Sequence, residues 1–229
     1  MQKHCIKIHL SSVFTEDKLE KWRKNYPSLQ KINIPDKGFL YRQGHSCSHV
    51  FWINTGIIKL SHITEQGNEL IVALLQSGDI TGSLPAAGAS SLMEETAQAV
   101  GEATLFRLEY HDFKALISHQ PDLSWQVFAT QSIRRQQAER KLLNILAQPV
   151  ESRIIAMLKE LAEMFGIRCA HGYALEIHLT QQELADLVGA SRPAVSTIMN
   201  DLRSRGILEY TRELICVNDI LFSTSGKQE

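Results

Sequence analysis

Leu179-Thr-Gln-Gln-Glu-Leu-Ala-Asp-Leu-Val-Gly-Ala-Ser-Arg-Pro-Ala-Val-Ser-Thr-Ile-Met-Asn-Asp-Leu-Arg-Ser-Arg-Gly-Ile-Leu208 reads as two short helices joined by a glycine turn. Thr180 precedes the first helix and Glu183 follows three residues later. That is the capping-box spacing, in which each side chain satisfies a backbone N–H at the other's position. Leu184, Leu187 and Val188 then recur at helical spacing and make one apolar stripe. Gly189 ends the helix, since glycine accepts the positive φ of a helix C-terminus. Ser191 is an N-cap for the second helix, and Pro193 falls in its first turn, where no backbone donor is missed. Val195, Ile198, Met199 and Leu202 form the side expected to be buried, while Arg192, Ser196, Thr197, Asn200 and Arg203 fall largely opposite. A helix with short polar side chains and an arginine near its N-terminus fits the major groove of DNA, where base edges are read.

The segment Gly206-Ile-Leu-Glu-Tyr-Thr-Arg-Glu-Leu-Ile-Cys-Val217 reads as a short β-hairpin with Thr211 to Glu213 at its turn. Two strands after such a helix predict a winged helix-turn-helix, with Arg212 in the wing beside the phosphate backbone. Net charge gives no global basic signal: it is −1 over 229 residues. From Thr180 onward there are five Lys/Arg (Arg192, Arg203, Arg205, Arg212 and Lys227) against seven Asp/Glu. Attraction to phosphate therefore depends on where the arginines sit, and binding should be salt-sensitive without being extreme.

Chain length suits one large or two small domains and permits a sizeable core. The longest apolar runs fall well short of the roughly 20 residues that span a bilayer, so no membrane segment is expected. The opening Met-Gln-Lys-His-Cys-Ile-Lys-Ile-His has no apolar core of signal-peptide length, which points to the cytoplasm. Cys5, Cys47, Cys169 and Cys216 are scattered, with no Cys-x-x-Cys pair, and read as buried or incidental thiols. No metal is expected: among the nine histidines, His45 and His49 stand four apart, but in a turn-rich segment.

Upstream, residues 28–110 read as β. Phe39–Tyr41, Val50–Ile53, Gly56–Ile63, Leu70–Leu75 and Ala103–Leu108 are runs of strand formers. They are separated by turn signals at Pro35–Gly38, Arg42–Gly44, Asn54–Gly56, Glu65–Gly67 and Ser77–Asp79. Short strands at such intervals predict a double-sheet jelly roll or barrel. From Asp112 to Ala147 the pattern turns helical, and the helix from Pro121 should run about 25 residues, longer than a globular average. An exposed helix with an apolar seam usually finds a partner helix. Homodimerisation is therefore expected, although Gln136, Gln137 and Arg140 make the middle of the seam polar. Ala147-Gln-Pro149 marks a hinge, Val150–Phe165 is another amphipathic helix, and a loop through Gly166 and Gly172 leads back to the motif.

A small β-roll, a long helix, a hinge and a winged helix-turn-helix, in that order, resemble the Crp/Fnr superfamily of bacterial transcription regulators. Tyr41-Arg-Gln-Gly44 and Val50-Phe-Trp-Ile-Asn-Thr-Gly-Ile-Ile-Lys-Leu60 resemble the first roll strands of that family. Gln76-Ser-Gly-Asp-Ile-Thr-Gly82 resembles the segment leading into its ligand cassette. Val150-Glu-Ser-Arg-Ile-Ile-Ala-Met-Leu158 is similar to its post-hinge helix, and Leu179–Leu208 is the strongest match. The resemblance covers the chain from about residue 28. It implies an α+β fold: an N-terminal β jelly roll of cyclic-nucleotide-binding type over 1–120, a dimerisation helix and hinge over 121–147, and a C-terminal winged helix-turn-helix over 148–229.

The resemblance also implies roles. Thr180, Gln181 and Gln182 would meet phosphate and fix register. Ser191 and Arg192 would open the recognition helix, Arg192 bidentate on guanine O6 and N7. Ser196, Thr197 and Asn200 would be the other local readers. Pro193 stands where relatives often carry glutamate, and Thr197 where a later arginine is common, so no relative's operator transfers. The ligand cassette departs further. Cyclic-nucleotide-binding members use a Gly-Glu pair for the ribose and an Arg-Ser or Arg-Thr pair for the cyclic phosphate. Here the positions read Gly82-Ser83 and Glu94-Glu95-Thr96-Ala97. Two carboxylates repel a phosphate rather than hold it, and the adenine-contacting positions look like Ala138, Glu139 or Arg140. Cyclic AMP is therefore not the expected effector, and an effector of any kind is left open.

The cysteines do not match the iron–sulfur sensors of the family, and nothing in the spacing of His4, His9 or His62 favours a haem ligand. No cofactor is expected. The function read from these residues is a homodimeric regulator on a pseudo-palindromic DNA operator, with RNA polymerase as a further partner. The alternative is a sensor or interaction module whose winged helix no longer reads DNA, in keeping with its acidic balance. No nucleophile elbow, phosphate-cradling glycine loop or catalytic carboxylate pair stands in a matching context, so an enzyme is not expected.

Overall fold

The computed structural model of the chain describes residues 16–82, 92–175, 177–211 and 214–223. These form two compact units: residues up to Ile63 with Ala73–Gln136, and Thr64–Val72 with the chain from Gln137.

The first unit begins with α1 (Glu16–Asn25), followed by β1 (Gln30–Ile34), β2 (Phe39–Tyr41), β3 (His49–Ile63), the end of β4 (Glu69–Leu75, whose residues up to Val72 fall to the second unit), β5 (Ile80–Gly82) and β6 (Thr96–Glu109). The six strands join into one antiparallel sheet with the path β1-β6-β3-β4; β2 adds to β6 and β5 to β3. Two long strands carry it, β3 and β6, paired from His49↔Glu109 to Ser61↔Thr96. Side chains alternate across a strand, so β3 feeds two cores at once. Val50 and Trp52 pack with Ile80, Phe106, Leu108, Phe113 and Leu116. Phe51, Ile53, Ile58 and Leu60 face Tyr41, Leu75, Ala97, Ala99 and Leu105.

The structure corrects the sequence reading at Asn54–Gly56, which was expected to be a turn between two strands. The chain runs straight through as β3, with register shifts on either side of Thr55. Gly56 adopts φ +88, and a Cβ there would lie 2.5 Å from the Glu102 carbonyl oxygen. The glycine permits a bulge inside a strand rather than a reversal. The sequence reading also passed over α1. Its Leu19 and Trp22, with Tyr26 just past its end, recur at helical spacing and are buried in the first core.

After β6 come α2 (Tyr110–His119) and α3 (Pro121–Ala147), the latter 27 residues long and close to the expected length. Among its side chains only Leu123 is fully buried. Trp125, Phe128, Leu142, Leu143 and Leu146 are 57–74 % exposed.

The second unit takes the C-terminal part of α3, then α4 (Val150–Phe165), β7 (Gly166–Cys169), β8 (Gly172–Leu175), α5 (Gln181–Val188), α6 (Arg192–Ser204), β9 (Leu208–Tyr210), β10 (Ile215–Asn218) and α7 (Ile220–Ser223). Gln148 and Pro149 break the helical path between α3 and α4. Leu158, Leu161, Leu184, Leu187, Val188, Val195, Met199, Leu202, Leu208 and Val217 supply the core; Ile198, placed on the buried side by its spacing, is half-buried.

The wing strands form as the sequence predicts, with Ile215 opposite Tyr210 and Val217 opposite Leu208. They belong to a larger sheet than expected, however, ordered β7-β8-β10-β9. The segment read as a loop through Gly166 and Gly172 is an antiparallel hairpin. A Cβ on Gly172 would run into the Val217 carbonyl, so the glycine serves close strand approach and not a loop. In the same unit, Lys141 Nζ donates to the Ile71 carbonyl at 2.6 Å, tying the start of β4 to α3. Burial pushes the Lys141 ammonium down to about 8, and burial raises the Glu160 carboxyl despite their mutual attraction.

Candidate nucleic-acid interface

The helix pair is closed by the devices its sequence encodes. Thr180 Oγ1 accepts from Glu183 N at 3.1 Å, and Glu183 Oε2 accepts from Thr180 N at 2.9 Å. Gly189 takes the left-handed conformation at φ 63 and its N–H returns to the Ala185 carbonyl. Ser191 Oγ accepts from Ala194 N, with Pro193 in the first turn. Both helix starts are thereby fixed, each presenting backbone N–H groups and the positive end of a helix dipole, which suit phosphate.

The side chains named from the sequence fall into three groups. Thr180, Gln182 and Arg192 are exposed and Gln181 is half-buried, at the two helix starts. Gln182 is drawn along its own helix, where its Nε2 donates to Asp186 Oδ1 at 2.8 Å. Arg192 makes no ion pair or hydrogen bond among the described residues.

A second group is partly engaged. Thr197 and Asn200 are exposed on α6, with Ser196 half-buried at the edge of that face. The Thr197 hydroxyl donates to the Pro193 carbonyl at 3.0 Å, which leaves its oxygen as an acceptor. Asn200 Oδ1 accepts from the Tyr210 hydroxyl at 2.7 Å, which leaves the amide NH2 to donate. Sequence reasoning missed that contact, because it joins the recognition helix to β9 across a fold that local patterns do not encode. In the third group, Arg212 lies outside the described residues.

The cations are not equivalent. Arg203 lies over the Tyr210 ring at 5.4 Å and keeps its charge available. Arg205 bonds to Glu151 Oε1 at 2.8 Å and Asp201 Oδ2 at 3.0 Å. Its phosphate role, expected from placement near α6, is therefore offset by two carboxylates already present. Arg153 Nη1 caps α5 from α4, donating to the Val188 carbonyl at 2.8 Å.

In the roll, the pocket residues inferred by resemblance do not all converge. Ser83 lies outside the described residues. Gly82 ends β5 at φ +100, where a Cβ would clash with the His49 carbonyl. Glu94 is exposed, and its backbone carbonyl is bonded to His62 Nδ1 at 2.9 Å. Glu95 turns the other way and accepts from the Tyr41 hydroxyl at 3.0 Å, while Tyr41 also meets Thr81 Oγ1. Burial, then the Glu95 charge, hold the Tyr41 hydroxyl well above its ordinary range. Thr96 Oγ1 is buried against Gln43 N at 3.1 Å.

Sequence reasoning also missed Arg134. From α3 it donates to the Ile80 carbonyl at 3.2 Å, and its charge acts on both Tyr41 and Asp79. Burial raises the Asp79 carboxyl even so, although Gln76 N donates to it at 2.8 Å. Among the described residues, no group of three or more His, Cys, Asp or Glu is arranged to hold a metal. Nor is any of their helices long and apolar enough to cross a membrane.

Two family profiles cover most of this architecture: a cyclic nucleotide-binding domain over residues 31–120 and a Crp-like helix-turn-helix domain over residues 152–220. The chain belongs to the Crp/Fnr superfamily. It is 26 % identical over 180 residues to a global nitrogen regulator of Nostoc sp., an alignment covering 78 % of this chain and 81 % of the relative. It is 26 % identical over 203 residues to the cAMP-activated global transcriptional regulator CRP of Escherichia coli, covering 89 % and 95 %. Among solved structures, the c-di-GMP responsive global regulator CLP of Xanthomonas campestris superposes with a TM-score of 0.75 at 18 % identity, covering 88 % of this chain and 99 % of that one. The superfamily consists of transcription regulators and not enzymes, and this Crp/Fnr protein carries its DNA-binding helix-turn-helix.

Proposed function

We propose that this Crp/Fnr regulator acts in the cytoplasm as a homodimer that binds a pseudo-palindromic operator in double-stranded DNA. Each subunit offers α6 to one half-site, the two about one helical turn apart. The observation that carries this reading is Arg192. It stands exposed at the capped start of α6 with no partner among the described residues, so its guanidinium is free for guanine O6 and N7. Thr180, Gln181 and Gln182 set register on phosphate, and Ser196, Thr197 and Asn200 read neighbouring bases, Asn200 as a donor. Residues 148–229 form the DNA-reading part, 121–147 the dimerisation helix and hinge, and 1–120 the sensor-type roll. The exposed seam of α3 supports the dimer, and RNA polymerase is the further partner of a regulator of this type.

Cyclic AMP is not the effector in this reading. The segment in which family members carry an arginine for the cyclic phosphate reads Glu94-Glu95-Thr96-Ala97 here, and the Glu95 carboxylate accepts from the Tyr41 hydroxyl. Titration calorimetry with cyclic AMP should give no binding heat; saturable binding would overturn this point.

Selection of bound sequences from a random duplex pool, with purified protein and no added small molecule, tests the function. Enrichment of a two-fold-symmetric site is the expected result. The ion pairs of Arg205 favour one rival, a winged helix that contacts protein instead of DNA. Failure to enrich any site, with and without a cell metabolite extract, would support that rival.

A further inference from the structure

Cys169 ends β7 and Cys216 lies in β10, 47 positions apart in sequence, yet their sulfurs stand 3.4 Å from each other. Strand β8 separates β7 from β10, with Gly172 opposite Cys169 and Ala174 opposite Cys216, so only small residues of β8 stand beside the two cysteines. Both thiols are free and only half-buried, so a small solute reaches them. We propose that Cys169 and Cys216 are a dithiol that hydrogen peroxide oxidises to an intramolecular disulfide within the sheet carrying the wing.

The two sulfurs differ in a way that divides the labour. Backbone N–H donation at His171, then the neighbouring Cys216, hold the Cys169 thiol below its ordinary range. Burial pushes Cys216 up to about 11. Cys169 is the attacking thiolate. It takes one peroxide oxygen as a sulfenic acid while the O–O bond breaks, and the other oxygen leaves as hydroxide and is protonated to water. The Cys216 sulfur then attacks the sulfenic sulfur. The S–S bond forms, the S–O bond breaks, and the departing hydroxide takes the Cys216 proton as a second water. Two electrons pass from the sulfur pair to the peroxide.

Closure draws the sulfurs from 3.4 Å to about 2.05 Å. That pull acts on β10, whose Cys216 is paired with Glu209 of β9. From β9, the Tyr210 hydroxyl reaches Asn200 on α6. The cross-link therefore acts on the strand that is hydrogen-bonded to the recognition helix.

The test uses the full chain, reduced, freed of reductant and exposed to hydrogen peroxide, with remaining thiols alkylated and peptides mapped by mass spectrometry. The expected product is a Cys169–Cys216 peptide pair, with Cys5 and Cys47 alkylated, reversed by dithiothreitol. Amide exchange in Leu208–Tyr210 and Ile215–Asn218 should slow on oxidation, and Cys216→Ser should leave a dimedone-reactive sulfenic acid on Cys169. Peroxide that pairs other thiols, or spares this pair while oxidising Cys5 or Cys47, overturns the site. A cross-link that leaves wing exchange unchanged overturns its coupling to the DNA-reading surface.

Discussion

Phe128→Ser is expected to break the dimer while leaving each subunit folded. Phe128 is 63 % exposed on α3 and touches Trp125 edge to face, with ring centroids 5.8 Å apart. A phenylalanine buries about 200 Å² when enclosed. The 63 % still open therefore corresponds to about 125 Å² available for a partner. At ~25 cal/mol per Å² that is about 3 kcal/mol per subunit. A two-fold interface loses it twice, about 6 kcal/mol, and each 1.4 kcal/mol is tenfold in affinity. The dimer dissociation constant should rise by about four orders of magnitude. Sedimentation equilibrium over a dilution series measures this directly, and circular dichroism confirms that the subunit remains folded. Ile220→Ser, which removes a residue 52 % exposed on α7, is the control and should change nothing. The reasoning is refuted if Phe128→Ser sediments as a dimer with unchanged affinity, or if both substitutions weaken it equally.

Arg192→Ala should weaken binding to the selected operator by about 1–3 kcal/mol and relax preference at one base position. An equal loss on operator and random duplex, read by fluorescence anisotropy, would remove its base-reading role. Thr180→Ala opens the capping box at α5 and should lower unfolding free energy by about 1 kcal/mol in urea titrations; an unchanged midpoint would contradict the capping geometry. Lys141 has its ammonium depressed to about 8, so between that pH and the ordinary lysine value the unfolded chain binds the extra proton. Stability from this group therefore rises as pH climbs through that window. Lys141→Met should flatten the rise in denaturation experiments at pH 7–10, and an identical pH profile in both proteins would refute the assignment.

Local rules in the sequence reached far in the second unit and less far in the first. The capping box at Thr180 and Glu183, the Gly189 turn and the Ser191 cap each involve residues within four positions, so spacing alone specifies them. The length of α3 was legible for the same reason, since no glycine or proline interrupts it after Pro121. What the sequence concealed depends on partners far along the chain. Asn54–Gly56 carries a turn signature, yet eleven residues of β6 pair with β3 on both sides of it and hold the strand straight. Gly166 and Gly172 look like loop residues until β10 is seen to need the space above Gly172. In the site, Arg192 was legible because it follows a cap. The Tyr210–Asn200 bond, the Glu95–Tyr41 bond and the approach of Cys169 to Cys216 were not, because each joins separate elements.

The contacts made by the arginines decide how strongly salt should govern DNA binding. The region from Thr180 carries a slight acidic excess, so attraction to phosphate depends on arginines without a carboxylate at hand. Arg205 fails that condition, with Glu151 and Asp201 both within 3.0 Å of its guanidinium. Arg203 meets it, since its partner is the face of Tyr210 and not a negative charge. Counting Arg192, Arg203 and, outside the described residues, Arg212, a dimer brings about six cations, and at ~0.9 per neutralised phosphate the slope of log K against log salt should be no steeper than about −5. Arg203→Ala should reduce the slope by about one per subunit. Arg205→Ala should leave it nearly unchanged, because removing that guanidinium also releases two carboxylates. If Arg205→Ala flattened the slope as much as Arg203→Ala, its ion pairs would have to open on DNA, and the wider face of α6 would have to be counted as phosphate-binding surface.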